Sequence, residues 1–155
     1  MKIHGRYVPV RAEICSVHGL SAHADADGLL RWLGTATRTM ILGGRVMVEE
    51  VTSQMMGQPF NGHGMHGFDN TTGKYWATWN DNMGTGLMVS EGTCDTKLTC
   101  TYTGSYHDPV TKKAQTTRMT TRWTDKTTEL FEMYGPGPDG KETKMMEITY
   151  KKRGQ

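Results

Sequence analysis

From residue 45 onward, apolar and polar side chains alternate in short runs interrupted by turn-forming residues. Tyr75, Ala77 and Trp79 alternate with Trp76, Thr78 and Asn80. Thr117, Met119, Thr121 and Trp123 alternate with Thr116, Arg118, Thr120 and Arg122. A period of two marks a half-buried strand, because successive side chains leave opposite faces of a sheet. The pattern predicts strands over residues 45–55, 60–68, 74–80, 86–94, 98–106, 115–124, 129–134 and 143–151. Turns at 69–73, 81–84, 95–97, 107–113, 125–127 and in the GPGPDGK run join them, at the roughly 8–12-residue spacing of all-β folds. Eight locally connected segments favour an antiparallel meander, and closing it into an up-and-down barrel removes its exposed edges. The predicted fold is therefore mainly β, an antiparallel up-and-down barrel with one short N-terminal helix.

The opening of the chain has a different texture. Val8, Val10, Ala12 and Ile14 alternate with Pro9, Arg11 and Glu13, which predicts a strand over residues 7–17. Pro9 places that position at an edge or at the strand's start, since it cannot donate to a ladder. Leu29, Leu30 and Leu33 then form an apolar stripe, with Ser21 or Asp25 as a cap and Gly34 as a stop. That predicts a helix over 25–33, kept short by Gly28, which costs about 1 kcal/mol of helix propensity relative to Ala. A seam is expected near Gly34, dividing one domain into residues 1–34 and 39–153.

Composition narrows the functional classes. A chain of 155 residues is one ordinary domain. Eighteen Lys and Arg against sixteen Asp and Glu leave a net charge of +2, too little for a protein that tracks phosphates. No run approaches the roughly 20 apolar residues of a membrane span, and no apolar stretch follows Met1 and Lys2. The expectation is a soluble, cytoplasmic protein with neither nucleic acid nor membrane as partner. Cys15, Cys94 and Cys100 are an odd set, so free thiols are expected even though Cys94 and Cys100 flank a turn. No C-x-x-C is present, and no metal or other cofactor is expected.

Two stretches resemble known families. VPVRAEICSVHGLSAHADADGLLRWL is similar to the C-terminal part of β-CASP nucleases of the metallo-β-lactamase fold, over residues 3–33. In that family the SAHAD histidine lies near the scissile phosphate, which makes His23, beside Asp25, the weak catalytic candidates. The family's HxHxDH metal ligands are missing here, and an imidazole without a cation lacks the hydrolytic machinery. The second resemblance runs over residues 40–153, through LGGR, MGQPF, GFDN and MEITY. It is to a bacterial family of domains of unknown function grouped with the calycins, the superfamily of lipocalins and fatty-acid-binding proteins. It implies a calycin-like antiparallel barrel. On this reading the chain is a gene fusion, in which the 7–17 strand replaces the barrel's first strand and the 25–33 helix lids one end.

Candidate chemistry is sparse. His63 and His66 stand three apart on a predicted strand and so point to opposite faces, which suits surface or satisfied histidines rather than a chelating pair. Some calycin relatives bind haem through histidine, which makes His63, His66 and His107 a minor haem alternative. Twelve methionines, most of them beyond the seam, suit an interior that accepts variable apolar partners. Glu91 and Glu147 share phase with apolar neighbours and are expected to point inward, with Arg118 or Arg122 as partner. The predicted ligand-binding set is Trp76, Trp79, Met88, Glu91, Met119, Trp123, Met145 and Glu147. The leading expectation is a non-enzymatic protein holding a small apolar or amphipathic molecule in a barrel. The alternatives are a self-associating homodimeric module with a filled barrel, and a residual metal-dependent hydrolase.

Overall fold

A computed structural model describes residues 8–17, 31–55, 57–108 and 111–152. Ten strands follow in chain order: β1 (Val8–Val17), β2 (Arg31–Ile41), β3 (Val46–Met55), β4 (Gln58–Asp69), β5 (Lys74–Asp81), β6 (Met88–Cys94), β7 (Cys100–His107), β8 (Ala114–Trp123), β9 (Thr128–Pro136) and β10 (Glu142–Lys152). The alternating segments thus become strands, and each pairs antiparallel with its successor.

Two expectations change. Residues 31–33, assigned to a helix, are the first residues of β2. The β-branched Thr35, Thr37 and Thr39 alternate with Gly34, Ala36 and Arg38 and favour extended backbone over helix. Gly34, read as a helix stop, lies within β2 opposite Ser53, where a Cβ would come within 2.9 Å of the Thr52 carbonyl oxygen. Residues 25–30 of the expected helix, and with them the lid, lie outside the described residues. The second change concerns closure. The eight segments from residue 45 do not close on themselves, because the free side of β3 is taken by β2. Strands β2–β10 form a curled sheet that is open between β2 and β10. In that opening β1 pairs with both, Ile14 opposite Trp32 on one side and Ile148 on the other.

Register sorts the side chains into two faces. Ala36, Val51, Phe60, Ile148 and Tyr150 are buried together on the concave face, with Trp79, Phe131 and Met146 packed around them. Each such aliphatic or aromatic side chain contributes about 1.5–3 kcal/mol when fully buried. Across β5–β8 the same face carries a row of small residues, Ala77, Ser90, Gly104 and Thr117, each opposite the next. On the outer face Gly67, Trp76, Glu91, Thr103, Arg118 and Tyr134 are likewise aligned. Strand β4 shows why its glycines are there: a Cβ at Gly62 would overlap the Trp79 indole on the concave face, and one at Gly67 the Trp76 indole on the outer face.

The six-residue spacing of Cys94 and Cys100 ends in a disulfide, against the expectation of free thiols. The two face each other directly across the β6–β7 hairpin, with Cα atoms 3.9 Å apart. The expectation had rested on compartment, whereas strand register decides proximity.

Candidate functional site

The concave face carries a charged cluster. Arg38 follows Ala36 in phase on β2, so its side chain enters the same interior; Glu49 lies directly opposite on β3, two residues before the buried Val51. Glu129 comes from the start of β9, opposite Tyr150 on β10. The Arg38 guanidinium donates through Nη1 to Glu129 and through Nη2 to Glu49 at 3.4 Å. It also stacks 4.5 Å from the centre of the Tyr150 ring. His66 on β4 brings Nε2 to 3.4 Å from Glu49 Oε2. Glu49, Glu129 and Tyr150 are all buried, at 4 %, 8 % and 6 % exposure.

The electrostatics of the cluster follow from that burial. Burial pushes the Glu49 carboxyl up, but the Arg38 charge and the His66 contact outweigh it and hold the group at about 2. Burial opposes the Arg38 charge too, yet Glu49 and Glu129 together raise its pKa. The Tyr150 phenol is pushed well up, by burial first and then by the charge of Glu49. Burial, with Tyr75 and Glu129 nearby, pushes Tyr102 up to about 12. One cation thus serves two buried carboxylates, and the polar inventory is incomplete. Arg38 Nε and His66 Nε2 are buried without a hydrogen-bond partner among the described residues. A buried unsatisfied donor typically costs about 1–3 kcal/mol, so these atoms favour a further polar group in the interior.

The predicted site residues divide between the faces. Trp79, Met88 and Met119 lie on the concave side, where Met88 is opposite Trp79 and Met119 opposite Tyr102. Met145 occupies the β10 bulge between Lys144 and Met146, its sulfur filling the space that a side chain on Gly135 would take. The other four do not join them. Trp76 lies on the outer face against Gly67, and Glu91 opposite it is exposed and bonded to Lys74 at 2.9 Å. Glu147 also faces outward and accepts a hydrogen bond from Lys144 at 2.8 Å. Trp123 is 40 % exposed, with Lys152 Nζ 4.6 Å from its ring centre. The inward carboxylates are therefore Glu49 and Glu129 rather than Glu91 and Glu147. Their partner is Arg38, since Arg118 is bonded on the outer side to Glu142.

His63 and His66 do stand on opposite faces, the latter within the cluster. His23 and Asp25 lie outside the described residues. Among the described residues, no group of three His, Cys, Asp or Glu side chains is placed to hold a metal ion, and no helix is long and apolar enough to cross a membrane.

Sequence reasoning missed Arg38, Glu49 and Glu129. A signal existed in their phase: Arg38 shares phase with Ala36 and Met40, and Glu49 with Met47 and Val51. The seam expected near Gly34 hid the first, and the second was not among the carboxylates weighed as inward-facing.

Comparison with curated proteins finds no match. A family model described as "Protein of unknown function (DUF1579)" matches residues 21–152, and so extends back across the seam expected at Gly34 to take in all of β2. With most of its length matched in this way, the chain belongs to the DUF1579 family.

Proposed function

We propose that the protein is a non-enzymatic carrier of a small amphipathic molecule, seated on the concave face with its polar end at Arg38. The carrying observation is the buried, unpartnered Arg38 Nε beside two buried carboxylates. This group presents one donor and several acceptor lone pairs, which suits an uncharged head bearing both a donor and an acceptor. Apolar contacts come from Trp79, Phe131 and Met146, which face the same interior and are only partly buried. Side chains that line a concavity without filling it leave room for a guest.

The reading extends to architecture and location. The arrangement is that of a calycin-like barrel in which β1 supplies the closing strand, and the pairing of β1 with both β2 and β10 supports this. The Cys94–Cys100 disulfide weighs against a cytoplasmic location, because such bonds persist in oxidising compartments. A second reading, self-association, draws on Leu87, just before β6, and Val89, at its start, which are 56 % and 48 % exposed. Sedimentation velocity over a concentration series separates it from the first: a monomer throughout removes it.

The test of the carrier reading is a fluorescence titration with N-phenyl-1-naphthylamine, a neutral probe with an aromatic body and one N–H. Saturable one-to-one binding with a blue-shifted emission is expected, together with a co-purified small molecule in native mass spectrometry. A protein that gives neither has a filled interior, and the proposal then fails.

A further inference from the structure

The β8–β9 ladder stops early. Strand β8 is paired with β7 from Ala114 to Thr121, but its pairing with β9 runs only from Trp123 back to Arg118, opposite Tyr134. Over residues 114–117, β8 therefore has a strand neighbour on one side. Alternate residues of an antiparallel strand direct their backbone groups to opposite neighbours, so part of this stretch faces a gap. Strand β9 cannot extend the ladder through Pro136, which has no N–H, and it turns away at Gly137, whose N–H bonds to the Lys141 carbonyl.

The gap is a groove of about 360 Å³, a volume within the range of small-molecule sites. Its lining comes from both faces of the sheet. Arg118 and Tyr134 belong to the outer face, while Thr117 and Gly135 are buried on the concave one. Side chains rather than a ladder hold the rim. Arg118 stacks 4.2 Å from the Tyr134 ring centre and forms a two-pronged ion pair with Glu142 on β10, at 2.9 and 2.8 Å, spanning β9. Behind the rim lie thioethers. The Thr117 hydroxyl contacts Met88 Sδ at 3.9 Å, and the Met145 sulfur lies against Gly135. Methionine is unbranched and has three rotatable bonds, so these side chains can move aside without disturbing the backbone.

We infer that this seam between β8 and β9 is a lateral entrance to the concave face, through which a small neutral amphipathic molecule passes, with the Met88 and Met145 thioethers as its movable plug. The inference rests on the carrier reading above and adds a route to it. A filled wall would need side chains at Gly104 and Gly135, but both are glycine and methionine ends occupy the space instead.

Stopped-flow binding of N-phenyl-1-naphthylamine tests the route. Met145→Ala removes half of the plug and is expected to raise the association and dissociation rates together, by at least about fivefold, with a smaller change in the dissociation constant. Gly135→Val places a branched side chain in the passage, and the backbone there is not in the left-handed region that only glycine tolerates. It is expected to slow both rates. Met83→Ala, in the turn after β5 and 55 % exposed, is the control and should leave both rates unchanged. Wild-type rates in both entrance variants would overturn the entrance while leaving the carrier reading intact. A change confined to dissociation would also overturn it, because it makes Met145 a wall of the site. Absence of saturable binding in the wild type would overturn both readings. Should Gly135→Val fail to fold, Met145→Ala alone decides.

Discussion

Two clusters of the same composition lie on opposite faces of this sheet. Inside, Arg38 stands between Glu49 and Glu129. Outside, Lys144 stands between Glu132 and Glu147. Each has one cation and two carboxylates, and in each the partners perturb one another: Lys144 is raised by its hydrogen bonds to Glu132 and Glu147, and Glu132 is lowered in return by Lys144. Solvent separates them. The Lys144 side chain is 37 % exposed against 16 % for Arg38, and Glu147 is 33 % exposed against 5 % for Glu49. Water reaches Lys144 and Glu147 outside and can replace much of what a lost partner supplied, so the outer cluster contributes less. Inside, each charge depends on its neighbours, and that makes the inner cluster both expensive to disturb and available to a guest.

The most direct way to sharpen this contrast is to remove each cation in turn. Arg38→Met leaves Glu49 and Glu129 buried without compensation and should cost about 3–5 kcal/mol in urea denaturation. Lys144→Met should cost under about 1 kcal/mol in the same assay. Equal losses would show that burial does not govern the difference. Adding Glu49→Gln and Glu129→Gln to Arg38→Met should restore much of the loss, since neutral side chains remove the uncompensated charge.

Reduction of Cys94–Cys100 provides a reference independent of either cluster. The bond closes a short hairpin, with a sequence separation of 6, and chain-entropy reasoning gives about 2 kcal/mol for so small a loop. Thermal melts with and without reductant should differ by that amount, and by less than Arg38→Met changes stability.

Acid should expose the contrast more gently. The folded Glu49 carboxyl sits at about 2, below its ordinary 4.5. Its contribution is therefore fully present above the ordinary value and is lost as pH falls from there through about 2. Glu49→Gln should flatten the stability profile across that window more than Glu132→Gln, because the Glu132 side chain, 15 % exposed against 5 % for Glu49, is more open to water. A profile unchanged by Glu49→Gln would place the acid sensitivity elsewhere.

The strands were legible because alternation records which side of a sheet is wet. The runs around Trp79 and Met119 show it most plainly, and each became a strand with Trp79 or Met119 on the concave face. Strand β2 was hidden by a single glycine: Gly34 reads as a helix stop only if one ignores the close approach of the Thr52 carbonyl across the sheet. The site was less legible still. Met88 and Met119, named for their adaptable thioethers, do face inward, but phase with Leu87 and Val89 sent Glu91 inward and phase with Met145 sent Glu147 there, and both lie on the outer face. Beside Glu147, the bulge between Lys144 and Met146 shifts the alternation by one residue, an event that leaves no mark in hydropathy. Contacts such as Arg38 with Glu129, ninety-one residues apart, depend on how the sheet curls and not on any local spacing.

The glycines of β4 have a practical consequence. By yielding space at Gly62 and Gly67, the strand lays one indole along each of its faces, Trp79 within and Trp76 without. Two of the four tryptophans thus sample the two faces from nearby positions on β5. A guest entering the concavity should quench or shift the emission of Trp79, whose indole N–H is bonded to Asp81 at 3.1 Å, and leave that of Trp76 as an internal standard. With Trp32 and Trp123 replaced by Phe, occupancy becomes readable without a label, one indole against the other.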